Sequence, residues 1–254
     1  MSQARHSKGS PQGGQFASKG GGGGGGLALG GGPPVVKDIK LPNKQKEART
    51  KQAEESVDRS RKLLGDLGID VSDVNVTLSD RMPRGIAADA IGFSDRYSKN
   101  VTMNVGTRYY ARVYDNQKEL GKSGMHSTGN KDHAVVHELS HQLHRKSLRQ
   151  GEKDLEGVSL QDRKTTVDGA TIYRQAPRSE DSWDWQAGDM HKGALMRKTA
   201  RKVSRYAAEN PHEFVAETFT KGAITGAKFP ADVQSLYIQA GGPHPEIVFR
   251  GGTE

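Results

Sequence analysis

The sequence predicts an α+β domain that follows a disordered, glycine-rich tail. Three observations lead to this expectation. Segments with the apolar spacing of helices and short stretches of alternating apolar and polar residues occur in the order helix, strands, helix, helices. No internal repeat interrupts that order. Of the 32 glycines, 13 lie in the first 32 residues, so we expect the folded part of the chain to follow them.

The predicted tail comprises residues 1–34, which include the unbroken run Gly20–Gly26 and end at Pro33 and Pro34. A segment this rich in glycine and poor in apolar side chains cannot offset the entropy that it loses on ordering. Residues 35–254 remain for one domain, and their number suffices for a single hydrophobic core. The chain has no cysteine, which excludes disulfides, thiolate metal sites and cysteine nucleophiles.

Hydropathy and charge narrow the classes of partner. No apolar run approaches the roughly 18 residues of a membrane span, and no signal peptide is evident, so we expect no membrane partner. The net charge of +8 favours binding to nucleic acid or anionic surfaces. Alternatively, the charge only keeps the protein soluble. Six cations without an acid lie in Lys192–Arg205. An apolar stripe recurs at helical spacing through the same stretch and predicts an amphipathic helix with a basic outer face; its members are Leu195, Thr199, Val203 and Tyr206. This basic face is either solvated or a weak nucleic-acid contact.

The first elements in chain order are a helix and a small antiparallel sheet. Residues 43–64 are rich in helix formers and predict a charged helix that ends near Gly65. Val74–Leu78 alternates apolar and polar residues as a half-buried strand does. Ile86–Val105 predicts a β-hairpin, because Val101, Met103 and Val105 fall on one side and a turn-like segment precedes them.

The next predicted helix, Ala134–His144, contains a metal-binding motif. His137, Glu138 and His141 form the pattern His-Glu-x-x-His, and residues four apart share one face of a helix. Two imidazoles placed in this way can chelate one zinc ion, and the intervening glutamate can act as general base toward a metal-activated water. Two interfacial histidines hydrogen-bonded to the backbone would produce the same pattern without a metal.

Beyond this helix the chain turns polar, and two further elements are predicted. Thr165–Tyr173 predicts a hairpin with its turn at Asp168 and Gly169. Asn210 followed by Pro211 predicts a helix start, with a side-chain cap and then a proline at the first helical position.

Two glutamates of this last helix share one face. Glu213 falls at its third position and Glu217 lies one turn later. Roles without a metal are also open: Glu213 as part of a capping box, Glu217 as a solvated position and Tyr206 as a core aromatic.

A catalytic zinc needs a third protein ligand, for which the sequence offers several sources. His144 comes from the same short helix and would strain a tetrahedral site, so for His144 and His133 we expect capping, surface or ligand-supporting roles. The longer pattern His-Glu-x-x-His-x-x-Gly-x-x-His fails, since His144 and Ser147 occupy its glycine and final histidine positions. A carboxylate of the later helix remains, either Glu213 or Glu217.

The HELSH motif and the spacing of Tyr206, Glu213 and Glu217 resemble the glutamate-zincins close to the anthrax lethal factor catalytic domain. The resemblance covers roughly residues 70–240 and implies a zincin-like metallopeptidase domain with Zn²⁺ as its cofactor and the HELSH helix as its active-site helix. The implied zinc ligands are His137, His141 and Glu213.

The resemblance also implies roles for the other site residues. Glu138 would be the general base, and Tyr206 would assist the oxyanion. Glu217 would not bind the zinc itself but would orient one of its ligands. A peptide or protein substrate would lie along the hairpin before the zinc helix by β-augmentation. Residues 145–190 make the gap between the motifs longer than in compact members, so they are expected to form an insertion.

Similar zincin domains occur in proteins of bacteriophages and mobile elements, and Lys8–Gly21 resembles tail segments of phage head-associated proteins. These resemblances imply phage head components as partners, and the host cytoplasm or the virion as the location. Two alternatives stay open. One is a zincin-fold structural protein with little or no catalysis. The other is a basic nucleic-acid-binding protein, whose binding would be sensitive to salt and would survive loss of the histidines.

Overall fold

The computed structural model describes residues 43–253, apart from positions 83, 85, 87–89, 96, 107–112, 155–163, 168–169 and 174–189. The predicted tail, residues 1–34, lies outside the described residues, as does the predicted hairpin turn at Asp168 and Gly169.

The described part of the chain is an α+β fold, as the sequence predicts. A 3₁₀ turn spans Tyr206–Ala208 and contains the predicted site residue Tyr206. In chain order the elements are α1 Asn43–Asp66, β1 Asn75–Ser79, β2 Gly92–Ser94, β3 Asn100–Asn104, α2 Gln117–Lys122, α3 His133–Asp154, β4 Lys164–Val167, β5 Ala170–Tyr173, α4 Met190–Ala200, α5 Pro211–Thr225, α6 Ala231–Gln239 and α7 Pro245–Val248.

The first three strands form a mixed sheet in the order β1-β3-β2. The predicted hairpin is confirmed, since β2 and β3 are antiparallel with Gly92 opposite Met103. The prediction of an all-antiparallel sheet is wrong, because β1 and β3 are parallel with Asn75 opposite Asn100. Alternation of apolar residues determines which face of a strand is buried but not the direction of its neighbour. Here β3 inserts between β1 and β2, and the segment containing β2 is the crossover that a parallel pair requires.

The hydrophobic core centres on α3, which contacts β2 and β3 on one side, α5 on another and α1 on a third. The HELSH motif therefore lies on a helix that is buried on several faces. Burial of apolar side chains from both helices fixes α3 against α5. Those of α3 are Val135, Val136, Leu139 and Leu143, and those of α5 include Phe214, Val215 and Phe219.

Polar contacts from α1 hold the N-terminal end of α3. Asp132, which directly precedes α3, accepts hydrogen bonds from Ser56 Oγ at 2.8 Å and from Arg59 Nη2 at 2.8 Å. A carboxylate at this end of a helix also interacts favourably with the helix dipole. These contacts fix the position of the HELSH motif one turn further along α3.

Two boundaries differ from the sequence prediction. Helix α3 continues to Asp154, so the start of the predicted insertion, residues 145–190, belongs to the helix that carries the HELSH motif. The basic helix α4 ends at Ala200, and Leu195, a predicted member of its apolar stripe, is 59% exposed. Helical spacing persists in the sequence beyond Ala200, but the chain turns there.

Two cations of the predicted basic face contact other parts of the chain. Lys202 Nζ pairs with Asp232 at 2.7 Å, and Arg205 Nη2 donates to the Ser123 carbonyl at 2.6 Å.

Among the described residues, no helix is both long enough and apolar enough to cross a lipid bilayer.

Helix α5 starts and ends as its sequence predicts. Asn210 Oδ1 accepts the backbone N–H of Glu213 at 3.0 Å, and Pro211 occupies the first turn. Gly226 caps the other end in the left-handed region, with φ of 60°, a conformation that glycine adopts without strain. The cap thus bonds directly to the backbone of one candidate zinc ligand.

We expect Asn210→Ala to lower the free energy of unfolding by about 1 kcal/mol, because the Glu213 N–H loses its acceptor. The measurement is urea denaturation. Asn210→Ser, which keeps an acceptor at this position, is the control and should stay close to the wild type. Equal stability of Asn210→Ala and the wild type would contradict this role of the cap.

Candidate metal centre

Helices α3 and α5 bring the predicted metal ligands together. His137 Nε2 lies 2.9 Å from Glu213 Oε2, and His141 Nε2 lies 3.2 Å from His137 Nε2 and 3.6 Å from Glu213 Oε2. All three side chains are buried. Two residues four apart on one helix and one residue on its neighbour therefore direct three ligand atoms at the same point.

The geometry of this group fits a zinc ion. Around a tetrahedral zinc, with bonds of about 2.0–2.2 Å to nitrogen and oxygen, ligand atoms are separated by about 3.3–3.6 Å. The separations of 3.2 and 3.6 Å that involve His141 match that spacing. The separation of 2.9 Å between His137 and Glu213 is that of a hydrogen bond. Replacement of its proton by an ion requires a shift of a few tenths of an ångström.

The protonation states of the group also suit a cation. Burial lowers the pKa of His137, but hydrogen bonds to Glu213 and Glu217 outweigh it and raise that pKa to about 10. Burial lowers the pKa of His141 to about 4. Burial raises the pKa of Glu213, whereas the two histidines lower it, and the net result is a pKa of about 2. At neutral pH, His141 and Glu213 are therefore ready to bind a metal, and His137 must first lose a proton.

Glu217 lies on the other side of the His137 ring and is saturated with donors. Its Oε1 accepts from His137 Nδ1 at 3.0 Å and from His133 Nε2 at 2.9 Å. Its Oε2 accepts from the Ser127 N–H at 2.6 Å and from Ser204 Oγ at 2.9 Å. Burial raises the pKa of Glu217, but the histidine contacts hold it well below its usual range. Glu217 therefore orients His137 so that Nε2 points toward Glu213.

The carboxylate of Glu138 is fully buried, and neither oxygen has a hydrogen-bond partner among the described residues. Burial raises its pKa to about 8. A buried carboxyl group without partners is costly unless it is protonated or meets a ligand. The arrangement suits a general base whose pKa lies near neutrality.

Strand β2 passes directly over Glu138. A Cβ atom at Gly92 would lie 2.5 Å from Glu138 Oε1, so only glycine allows so close an approach. The strand is fastened to α3 by Arg145, whose Nη2 donates to the Ser94 carbonyl at 2.9 Å, and by Gln142, whose Nε2 donates to Ser94 Oγ at 2.9 Å. Helix α3 thus fixes the edge strand β2 beside the candidate base Glu138.

Tyr206 lies at the same site, in the 3₁₀ turn. Its ring centroid is 5.8 Å from that of His137, and its backbone N–H donates to the Met125 carbonyl at 3.1 Å. Burial and the nearby Glu213 and Glu138 carboxyl groups raise the pKa of the Tyr206 hydroxyl well above its usual value. The hydroxyl therefore keeps its proton as a hydrogen-bond donor.

The structure brings all six predicted site residues into one buried region, and it adds residues that the sequence analysis did not single out. His126 stacks on His133 at 4.8 Å between ring centroids, and Ser127 and Ser204 bind Glu217. His126, Ser127 and Ser204 lie in loops without a pattern in the sequence. His133, for which the sequence predicts a capping, surface or ligand-supporting role, is buried and contacts Glu217. His144 is not among the clustered ligand atoms, and its Nε2 lies 2.8 Å from the Ala240 carbonyl, at the C-terminal end of α6.

No family model matches the chain, and no curated protein or solved structure shows significant similarity to it. Indications of function therefore come from the geometry and chemistry of the site itself.

We expect the apparent affinity for zinc to rise with pH, because the ion must displace a proton from His137, whose pKa is about 10. Below that pKa, the apparent dissociation constant should fall by about tenfold per pH unit between about pH 6 and about pH 8. This dissociation constant is measured by competition with a chelator. The measurement uses the Glu138→Gln variant, so that a proton on Glu138 does not contribute to the pH dependence. A dissociation constant independent of pH would contradict the assigned charge of His137.

We expect Gly92→Ala to lower the free energy of unfolding by about 1–3 kcal/mol, because the new methyl group collides with the Glu138 carboxylate. Gly65→Ala in α1 is the matched control, since a Cβ there meets no atom within 4 Å. That change should stabilise the helix by about 0.5–1 kcal/mol. Urea denaturation compares the two variants, and an equal effect of both would show that β2 does not press on Glu138.

Proposed function

We propose that the protein is a zinc-dependent metallopeptidase of zincin-like fold that cleaves peptide or protein substrates. One observation carries the proposal: the buried group of His137, His141 and Glu213 lies beside the Glu138 carboxylate, which has no partner among the described residues. Ligands fit for zinc and a base with a pKa near neutrality are the two components that metal-assisted hydrolysis requires. The similarity of the motifs to glutamate-zincins supports the same function.

In this proposal His137 and His141 provide Nε2 and Glu213 provides Oε2 to the metal. When bound, the ion supplies Lewis acidity, which lowers the pKa of a water molecule and polarises a carbonyl group. Because only His137, His141 and Glu213 would hold the ion, it would remain accessible to water or to a substrate carbonyl group. Glu217 keeps the proton on His137 Nδ1, so that the other nitrogen of the ring stays available.

Glu138 moves the proton. Its carboxylate accepts a proton from the attacking water and then donates it to the leaving amine of the cleaved peptide. Burial holds its pKa at about 8 in the metal-free site, and a nearby dication would shift that pKa downward. The absence of competing hydrogen-bond donors among the described residues leaves both of its oxygens free for this exchange.

Tyr206 supplies a hydrogen-bond donor for the oxygen of the reacting carbonyl group. Its hydroxyl stays protonated because burial and the neighbouring carboxyl groups raise its pKa. A neutral phenol can donate a hydrogen bond to the oxygen on which negative charge develops, and in a buried site such a bond is worth far more than in water.

An extended peptide would bind along β2. This strand lies at the edge of the three-stranded sheet, and Gly92 brings its backbone against Glu138. Addition of a substrate strand to an exposed sheet edge provides main-chain hydrogen bonds. In the phage setting that the sequence suggests, the substrate or partner would be a head component, and the protein would act in the host cytoplasm or the virion.

We expect about one zinc per chain in the purified wild type, most of it lost in His137→Ala and Glu213→Ala because each variant removes a ligand. Glu138→Gln should keep its zinc but lose peptidase activity, since an amide cannot accept the proton. Metal content by mass spectrometry and turnover of a peptide library are the measurements. His144→Gln is the control, because this buried histidine of the same helix contacts the Ala240 carbonyl and is not a proposed ligand.

Absence of zinc from the wild type, even after reconstitution, would overturn the enzyme proposal. Zinc without turnover of any peptide would favour the structural alternative, a zincin fold without catalysis. Salt-sensitive binding of nucleic acid that persists in His137→Ala would favour the alternative that relies on the basic face.

A further inference from the structure

A line of hydrogen bonds leads from a loop to the zinc site through His133. The Asn130 N–H donates to Thr128 Oγ1 at 3.2 Å, and Thr128 Oγ1 lies 3.2 Å from His133 Nδ1. On the far side of the ring, His133 Nε2 lies 2.9 Å from Glu217 Oε1, the oxygen that also accepts from His137. His133 is fully buried and is not one of the three proposed zinc ligands.

The chemistry of these partners determines where the protons lie. An ionised carboxylate can only accept, so His133 Nε2 and His137 Nδ1 both carry a proton toward Glu217. When the His133 ring carries a single proton, that proton is on Nε2 and the lone pair lies on Nδ1, where the Thr128 hydroxyl can donate. The Thr128 oxygen at the same time accepts the Asn130 N–H. Every group in the line thus has one role that is consistent with its neighbours.

We propose that His133 is a positioning residue of the metal site, which holds Glu217 through its Nε2–H and thereby keeps the proton of His137 on Nδ1. The proposal rests on the proposed zinc function and extends it to a residue one turn before the HELSH motif. Outer partners of this kind orient a ligand and tune its affinity for the metal.

The ring of His133 is well placed for such a role because its own position is fixed. His126 stacks on it with an angle of 1° between the rings and 4.8 Å between centroids. Gln117 Nε2 lies 2.9 Å from His126 Nδ1 and donates to the Thr128 carbonyl at 3.0 Å. Stacking on one face and hydrogen bonds at both nitrogens leave His133 little freedom to rotate.

A second metal ion in this region is the competing explanation, since atoms of His133, His137 and Glu217 also lie close enough together to share one. That ion would take Nδ1 of His137 while the proposed zinc takes Nε2, and the ring would have to lose both protons. It would also displace two of the four donors on Glu217. The four hydrogen bonds satisfy the Glu217 carboxylate without a cation, so we assign a hydrogen-bonding role.

The first test uses the metal-free protein and needs no activity. Long-range ¹H–¹⁵N spectra of protein with labelled histidine show which ring nitrogens carry a proton, and His133→Gln assigns the signals. At mildly alkaline pH we expect Nε2 of His133 to be protonated. An unprotonated Nε2 would overturn the proposal, because His133 could then donate nothing to Glu217.

The second test compares zinc affinities by chelator competition. His133→Leu removes the donor and should raise the dissociation constant by about tenfold or more, whereas His133→Gln keeps an N–H near the position of Nε2 and should stay within about threefold of the wild type. His144→Leu, which alters a buried histidine of the same helix that contacts neither Glu217 nor a proposed ligand by a hydrogen bond, should leave zinc binding unchanged.

An unchanged dissociation constant in His133→Leu would overturn the proposal, as would equal losses in His133→Leu and His133→Gln, which indicate that the ring merely fills space. More than one zinc per wild-type chain, reduced to one by His133→Leu, would favour the second metal ion instead. A wild type that binds no zinc would overturn the proposed function, and the spectra would then still decide whether His133 donates to Glu217.

Discussion

The buried carboxylate of Glu217 is the constraint on which the site depends. An ionised carboxylate in a protein interior is very costly unless donors surround it. The four donors come from a loop (Ser127), from two positions on α3 (His133 and His137), and from the segment before the 3₁₀ turn (Ser204). Satisfying one charge therefore fixes three segments relative to α5, and each of them also contributes to or adjoins the candidate metal centre.

This buried cluster of charged side chains does not favour stability by itself. Well-packed apolar residues in place of a buried ionic cluster are often neutral or stabilising, and Glu138 adds a buried carboxyl group without partners among the described residues. At neutral pH the metal-free cluster combines two ionised carboxylates, Glu213 and Glu217, with one imidazolium, His137. A dication that displaces the His137 proton relieves this imbalance, which is the physical reason to expect a metal rather than a structural histidine cluster.

The sequence predicts those features that depend on short-range spacing. The HELSH helix, the Asn210 cap and the positions of Glu213 and Glu217 follow from helical periodicity and capping, which act within a few residues. The parallel pairing of β1 with β3 depends on the path of the chain between them, and residue patterns do not encode that path. Ser127 and Ser204 reach Glu217 from loops, so nothing near them in the sequence indicates the contact.

The different roles of Glu213 and Glu217 also could not be predicted from the sequence pattern. Both are buried glutamates on one face of α5, and residue type and spacing alone leave either as a third ligand. Their neighbours separate them: Glu217 is occupied by donors whose protons point at it, whereas Glu213 Oε2 faces the Nε2 atoms of both HELSH histidines. His137 stands between the two carboxylates and presents one nitrogen to each. One carboxylate can therefore bind a metal with the ring while the other holds its proton, so their roles follow from the fold rather than from their chemistry.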